Sequence, residues 1–133
     1  MTSKTDSSSP RVRVIQKLYG ALMNPEEIII YNKSRYKKFI KDVVSGTIER
    51  RELIEEHLLK NFSDDLNLKK TDKLLKIIIF AAVFEFMYKH NNPTKVIISE
   101  YLKTAEFFLE NIQIKYLNAI LDKVSKKIRN ENN

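Results

Sequence analysis

The stretch from Thr71 to Lys89 constrains the fold more than any other part of the chain, because it is apolar on nearly every face of a helix. A helix without a polar face has to be buried on most sides. The segment therefore predicts a central helix that is surrounded by the other elements. Its apolar residues are Leu74, Leu75, Ile77, Ile78, Ile79, Phe80, Ala81, Ala82, Val83, Phe84, Phe86 and Met87. Three of them at a spacing of four, Ile78, Ala82 and Phe86, are expected to be buried together.

Turn-forming residues are too scarce for a protein made of many strands. Only two glycines and three prolines occur in 133 residues, whereas sandwiches and barrels need Gly- and Pro-rich turns every few residues. A chain of this length has the usual size of one domain. Hydrophobic residues make up 43% of it, which is enough for a core. We therefore expect a single all-α domain.

Apolar periodicity predicts five more helices around the central one. The first begins at Pro10, because Ser9 before a proline at the first helical position is a start signal. Its inward stripe would consist of Ile15, Leu18, Tyr19 and Leu22. The predicted ranges are Pro10 to Met23, Ser34 to about Gly46, Ile48 to Phe62, Thr94 to Glu110 and Gln113 to Arg129.

The segments between these helices divide the chain. The polar, Ser-rich arm of residues 1–9 has nothing to bury and is expected to be disordered. Residues 63–70 are polar and are expected to link two subdomains, at about 10–62 and 71–130. Ile28 to Ile30 fit either a helical turn or an extended connector. Gly46 marks either the end of the second helix or a tight contact between helices.

The positive charge of the chain favours a polyanionic partner. Lys plus Arg is 24 against 17 for Asp plus Glu, a formal net charge of +7, which attracts nucleic acid. A composition rich in Lys, Ile and Asn also follows from an AT-rich genome, and that explanation stays open. Three lysine clusters are candidate phosphate contacts or ordinary solvated faces: Lys37, Lys38 and Lys41; Lys69, Lys70 and Lys73; and Lys123, Lys126 and Lys127.

Catalytic and metal-binding patterns are missing from the sequence. There is no cysteine, and neither His57 nor His90 has a ligand partner at metal-binding spacing. No Gly-rich phosphate loop or nucleophile elbow occurs. We expect no enzyme activity, no metal and no cofactor. The polar N-terminus lacks a signal peptide, and the apolar run Ile77 to Met87 is too short to span a bilayer, so a cytoplasmic protein without a membrane partner is expected.

Aromatic residues beside cations are the better signal for RNA, because unpaired bases stack on rings while cations follow the backbone. Two places have this combination: Arg11 and Arg13 with Tyr19, and Lys115 with Tyr116. Tyr19 also belongs to the apolar stripe of the first helix, and a core position is the favoured reading for its ring.

Five segments, in order along the chain, resemble the NusB family of transcription antitermination factors, and the last three also do so at matching intervals. Residues 11–19 resemble its arginine-bearing first helix, and residues 39–46 its aromatic, aliphatic and glycine pattern. The motifs Ala82-Val-Phe-Glu85 and Pro93-Thr-Lys-Val-Ile-Ile-Ser-Glu100 are similar to the family's Leu-Tyr-Glu and Pro-x-Lys-Val-x-Ile-Asn-Glu. Tyr116-Leu-Asn-Ala-Ile-Leu-Asp-Lys123 resembles its Phe-Val-Asn-Gly-Val-Leu-Asp-Lys. The likeness covers Pro10 to Arg129.

This resemblance implies a NusB-like bundle of about six to seven helices in two packed subdomains. It also implies binding to boxA-type leader RNA of ribosomal RNA operons, together with the ribosomal protein NusE, in the RNA polymerase antitermination complex. By position, Arg11, Lys115 and Tyr116 would contact RNA, and Arg13 is added on charge alone. The partner face would use the fourth helix. Asp72 and Lys76 are its candidates, and the protein would be a monomer or a homodimer.

The chain departs from the family pattern in ways that mark it as a divergent member. The family's Leu-Arg in the fourth helix is Ile79-Phe80 here, its Asn-Gly is Asn118-Ala119, and serines replace much of the arginine run before the first helix. A helical protein-interaction module with little or no RNA binding is therefore the alternative function. A NusB-like domain also heads some ribosomal RNA cytosine methyltransferases, so a fragment of such an enzyme is a further alternative.

Overall fold

A computed structural model describes residues 9–130 of the chain. Within that range every regular element is a helix and no strand occurs, so the predicted all-α fold is confirmed. The disordered arm predicted for residues 1–9 lies outside the described residues, except for Ser9, which is the N-cap of the first helix. The elements are α1 (Pro10–Met23), α2 (Lys37–Glu49), α3 (Arg51–Phe62), a 3-10 helix (Leu68–Lys70), α4 (Lys73–Tyr88), α5 (Thr94–Ala105) and α6 (Asn111–Arg129).

Helix α4 is the centre of the fold and contacts each of the other five α-helices. Ile78, Ala82 and Phe86 are fully buried on it, as their spacing predicted. Among the described residues, no helix combines the length and apolar character that crossing a membrane requires. The division into two subdomains stays a prediction, because α4 packs against helices from both of the proposed halves.

Helix α1 has the predicted bounds but buries a different stripe. Its buried residues are Val12, Val14, Ile15 and Leu18. The inward positions predicted for Tyr19 and Leu22 are wrong, since both side chains are exposed. All four buried positions lie in the first nine residues of the helix, and its last turn is largely exposed.

Helix α2 begins later than predicted and continues through Gly46. It starts at Lys37 rather than Ser34, and its N-cap residue, Tyr36, is exposed. Gly46 is buried within the helix, and a Cβ at this position would lie 2.2 Å from Cζ of Phe84. A tight contact between α2 and α4, rather than a helix end, therefore explains this glycine.

Two connections differ from the sequence prediction. Helix α5 ends at Ala105 and not Glu110, and α6 begins earlier, at Asn111, where the side chains of Glu110 and Gln113 form a capping box. The segment predicted as a polar linker, residues 63–70, buries Leu66 and Leu68 against the core. These two side chains therefore anchor the segment to the core, while its other residues are exposed.

Candidate nucleic-acid interface

A buried carboxylate, Glu85, lies in the most apolar helix and organises one end of the domain. Its side chain is fully buried on α4. Tyr101 of α5 donates its hydroxyl to Oε2 of Glu85 at 2.5 Å, and the Asn92 amide donates to Oε1 at 3.1 Å. A buried carboxylate needs such partners, because an unpaired charge in the interior is costly. These hydrogen bonds fix α5 and the turn after α4 around one side chain.

The ion pair that neutralises Glu85 comes from Arg11, in the first turn of α1. Nε of Arg11 lies 2.9 Å from Oε2, and its second nitrogen lies 2.7 Å from Oε1, so the pair is bidentate. Only 12% of the Arg11 side chain is exposed. The guanidinium also lies 4.8 Å from the ring centre of Phe39 and 5.4 Å from that of Tyr101. Arg11 therefore joins α1, α2, α4 and α5 at one point.

The surroundings keep the two titratable partners of Glu85, Arg11 and Tyr101, in their protonated forms. Burial is the largest single effect and would lower the pKa of the Arg11 guanidinium. The hydrogen bond to Glu85 and the electrostatic attraction of the surrounding acidic groups together outweigh it and raise the pKa above its ordinary value. Burial, with the charge of Glu85, raises the pKa of Tyr101 well above its ordinary value. The hydroxyl of Tyr101 therefore stays a neutral donor to the carboxylate.

Arg129, in the last turn of α6, closes the same end of the domain. Its guanidinium donates to the backbone carbonyls of Glu85, Phe86, Lys89 and Asn92 at 2.7 to 3.1 Å. The last carbonyls of a helix have no partner within the helix. Arg129 therefore caps α4 from a neighbouring element and fixes the C-terminal ends of α4 and α6 side by side.

The predicted RNA residues of α6 lie near its other end. Lys115 and Tyr116 are both exposed, the Tyr116 side chain by 37%. The Tyr116 hydroxyl donates to the backbone carbonyl of Asp65 at 2.9 Å, and Lys123 binds the Asp65 carboxylate at 2.8 Å. Partial burial raises the pKa of Tyr116. The ring is thus held at its hydroxyl while part of its surface faces solvent.

The structure does not bring the four predicted RNA residues together. Arg11 lies beside Glu85, at the end of the domain that Arg129 closes, whereas Tyr116 lies beside Asp65. Thirteen residues separate Tyr116 from Arg129 on α6, which corresponds to about 20 Å along the helix. Arg13 is partly buried in α1, two residues from Arg11. A strand of RNA would have to run along the domain to meet both ends.

The two predicted partner residues have local roles at the start of α4. Asp72 is the N-cap, and its carboxylate accepts from the amides of Leu74 at 3.0 Å and Leu75 at 3.2 Å. Nζ of Lys76 lies 5.9 Å from the ring centre of Phe80. A role of Asp72 and Lys76 in partner binding stays a prediction.

We expect Asp72→Ala to lower the free energy of unfolding by about 1 kcal/mol, because two helix amides lose their acceptor. Asp72→Asn should leave stability close to that of the native chain, since asparagine caps equally well. Together the two variants distinguish the loss of the helix cap from the loss of the negative charge. Urea denaturation measures the capping effect. The affinity of the asparagine variant for NusE, the partner that the resemblance implies, measures the effect of the charge. Equal stability of the native chain and Asp72→Ala would contradict the capping role.

Sequence reasoning missed the Glu85 cluster. The signal available was one ionisable residue inside the most apolar helix, a position where a charge requires partners. The partners could not be chosen, because Arg11 is 74 residues away in the chain. Among residues 9–130, no group of three or more His, Asp or Glu side chains is arranged to hold a metal ion.

The fold and the interface together define a class of protein. It is a small all-helical domain whose buried ionisable groups hold helices together and whose exposed cations and rings face outward.

Two comparisons with known proteins identify the family. A sequence model of the NusB family matches residues 9–126. The solved structure of T. maritima NusB superposes with a TM-score of 0.78 over 93% of both chains, at 19% identity, which shows a common fold.

Curated relatives agree with this placement. The transcription antitermination protein NusB of Mesorhizobium japonicum is 33% identical over 94 residues, which is 71% of this chain and 61% of that protein. The protein of the same name from Rhizobium etli is 29% identical over 93 residues, 70% of this chain and 58% of that protein. The matched segment thus spans about three fifths of the relatives' length. The chain belongs to the NusB family.

Proposed function

We propose that this protein is a transcription antitermination factor that binds boxA-type leader RNA of ribosomal RNA operons together with the ribosomal protein NusE. The observation that carries the proposal is the family match over residues 9–126, with relatives named transcription antitermination protein NusB. In this proposal the protein acts in the cytoplasm, as a monomer or homodimer within the RNA polymerase antitermination complex. It binds RNA without an enzyme activity or a cofactor.

The start of α6 supports the RNA part of this proposal. Lys115 and Tyr116 supply an exposed cation beside an exposed ring, which is the combination that single-stranded RNA uses. RNA contact by Arg11 and Arg13 stays a prediction. The bidentate pair with Glu85 favours a positioning role for Arg11, which would hold the start of α1 in place.

A second candidate function is a helical protein-interaction module. Three isoleucines favour it, because they are among the most exposed large apolar side chains of the domain: Ile28 at 88%, Ile112 at 76% and Ile30 at 71%. Exposed apolar groups of this kind mark protein interfaces when they are contiguous. RNA affinity decides between the two functions.

We expect Tyr116→Ala to weaken binding to boxA RNA about fivefold, which corresponds to about 1 kcal/mol, at the lower end of the stacking energy of one base. Tyr116→Phe keeps the ring and should bind like the native chain. Tyr88→Ala removes a ring of similar exposure, at the C-terminal end of α4, and is the matched control. The measurement is a titration of labelled boxA and scrambled RNA.

The same titration with NusE tests the partner. Coupling between two ligands is reciprocal, so boxA should tighten NusE binding by the factor by which NusE tightens boxA binding. Equal affinity for boxA and scrambled RNA, with and without NusE and with no effect of Tyr116→Ala, would favour the protein-interaction module.

A further inference from the structure

A dense group of cations lies just before and within the first turns of α2. It consists of Lys33, Arg35, Lys37, Lys38 and Lys41, and together with Tyr36 we name it the α2 strip. No acidic residue occurs between Ile28 and Lys41. All five cations and the Tyr36 ring are exposed. Five of the 24 basic residues of the chain therefore fall within nine positions.

Most of these cations have no acidic partner. Lys38 pairs with Asp42 at 3.0 Å, and the Arg35 guanidinium lies 5.3 Å from the ring centre of Tyr36. Within residues 9–130, the lysines at 33, 37 and 41 form no ion pair. By contrast, two lysines of α6 form ion pairs, Lys123 with Asp65 at 2.8 Å and Lys126 with Asp122 at 3.2 Å.

Stabilisation of helix α2 does not explain why these cations lie at its start. The amino end of a helix carries a partial positive charge, which favours acids and disfavours cations. Helix α2 has no acid in its first turn and no side-chain cap at Tyr36. The strip therefore places like charges against each other and against the helix dipole. A bound polyanion would relieve both repulsions.

The strip is also next to the start of α1. Phe39 lies in the first turn of α2, and its ring centre is 4.8 Å from the guanidinium carbon of Arg11. The strip and the N-terminal turn of α1 thus form one end of the domain. That end is distinct from the one at which Tyr116 contacts Asp65.

We propose that the α2 strip is a second RNA-binding surface. Its lysines neutralise consecutive phosphates of single-stranded RNA, and the exposed ring of Tyr36 stacks on a base. A strand that contacts Tyr116 at one end of the domain reaches the strip at the other. This inference rests on the proposed RNA-binding function, and it assigns the phosphate contacts to a surface outside the α6 residues.

The test is the salt dependence of RNA binding by two variants of equal charge. One is Lys33→Gln/Lys37→Gln/Lys41→Gln, which removes the unpaired lysines of the strip. The control, Lys69→Gln/Lys70→Gln/Lys73→Gln, removes three exposed lysines before and at the start of α4. Each lost phosphate contact lowers the slope of log affinity against log salt by about 0.7, so the strip variant should lose about 2 and the control nothing.

Thermal unfolding of the strip variant and RNA binding by Tyr36→Leu distinguish a lost RNA contact from a misfolded protein. Thermal unfolding of the strip variant should occur at or above the native temperature, because repulsion at the helix start is removed. Tyr36→Leu should weaken RNA binding several-fold at unchanged slope. Equal slopes for the strip variant and the native chain, or equal losses in both triple variants, would overturn the strip while leaving RNA binding at Tyr116 intact. Absence of RNA binding by the native chain would instead refute the proposed function itself.

Discussion

Arg11→Ala is expected to lower the free energy of unfolding by about 3 to 5 kcal/mol, because it leaves the Glu85 carboxylate buried without its countercharge. The carboxylate is fully buried, and the remaining donors, Tyr101 and Asn92, are neutral. Neutral hydrogen bonds do not replace a bidentate ion pair in a site from which water is excluded. The loss should therefore far exceed that of a surface arginine.

Urea denaturation of two further variants completes this test. Arg51→Ala removes an exposed arginine at the start of α3 and should change stability by less than about 0.5 kcal/mol. Arg11→Met with Glu85→Gln removes both charges and should recover much of the loss, because breaking a buried pair costs more than replacing it. A loss of less than about 1 kcal/mol for Arg11→Ala would show that Glu85 does not depend on this partner.

This expected loss changes how RNA measurements on Arg11 are interpreted. A destabilised variant binds RNA less well simply because less of it is folded, so affinity has to be compared at equal folded fraction. Arg11→Lys keeps the charge but loses the bidentate geometry. If Arg11 acts by positioning α1, the lysine variant should bind RNA less well than the native chain even where it is fully folded, whereas a direct phosphate contact would survive the change.

The sequence was sufficient for the helices whose ends have local signals. Pro10 after Ser9 gave the start of α1, and the apolar run gave α4 as the buried centre. The end of α5 at Ala105 has no glycine or proline near it. Because the apolar periodicity continues beyond it, the predicted helix is too long. The inward position predicted for Tyr19 is wrong for a similar reason. Periodicity defines a face, but which turns of that face are covered depends on where the neighbouring helices lie.

The candidate site was less predictable than the fold, because its geometry joins residues that are distant in the chain. Lys115 and Tyr116 were found from neighbouring residue types, a local signal. The engagement of Arg11 by Glu85 depends on how α1 packs on α4, and no spacing along the chain reports that contact. The resemblance makes Asp72 a partner candidate only as the acid nearest to the family's contact position, whereas its place before a helix fits a capping role.

Gly46→Ala is the second substitution with a large expected effect, and we expect it to lower the free energy of unfolding by about 3 kcal/mol. The added Cβ would lie 2.2 Å from Cζ and 2.4 Å from Cε1 of Phe84, well inside van der Waals contact. Phe84 is only 5% exposed and its ring packs 5.2 Å from the ring of Tyr88, so a movement away from the new methyl group would disturb this packing. Either the Phe84 packing or the approach of α2 to α4 would have to change.

The other glycine of the chain is the matched control, because it differs only in its surroundings. Gly20 also lies within a helix, α1, but a Cβ there meets nothing within 4 Å. Gly20→Ala should therefore stabilise the protein by about 0.5 to 1 kcal/mol through the helix propensity of alanine. The same propensity gain acts at Gly46 and opposes the clash, so the measured loss understates the steric cost. Combining Gly46→Ala with Phe84→Leu shortens the opposing side chain and should recover part of the stability. Equal effects of alanine at the two glycines in urea denaturation would mean that α2 and α4 approach less closely than the Phe84 contact requires.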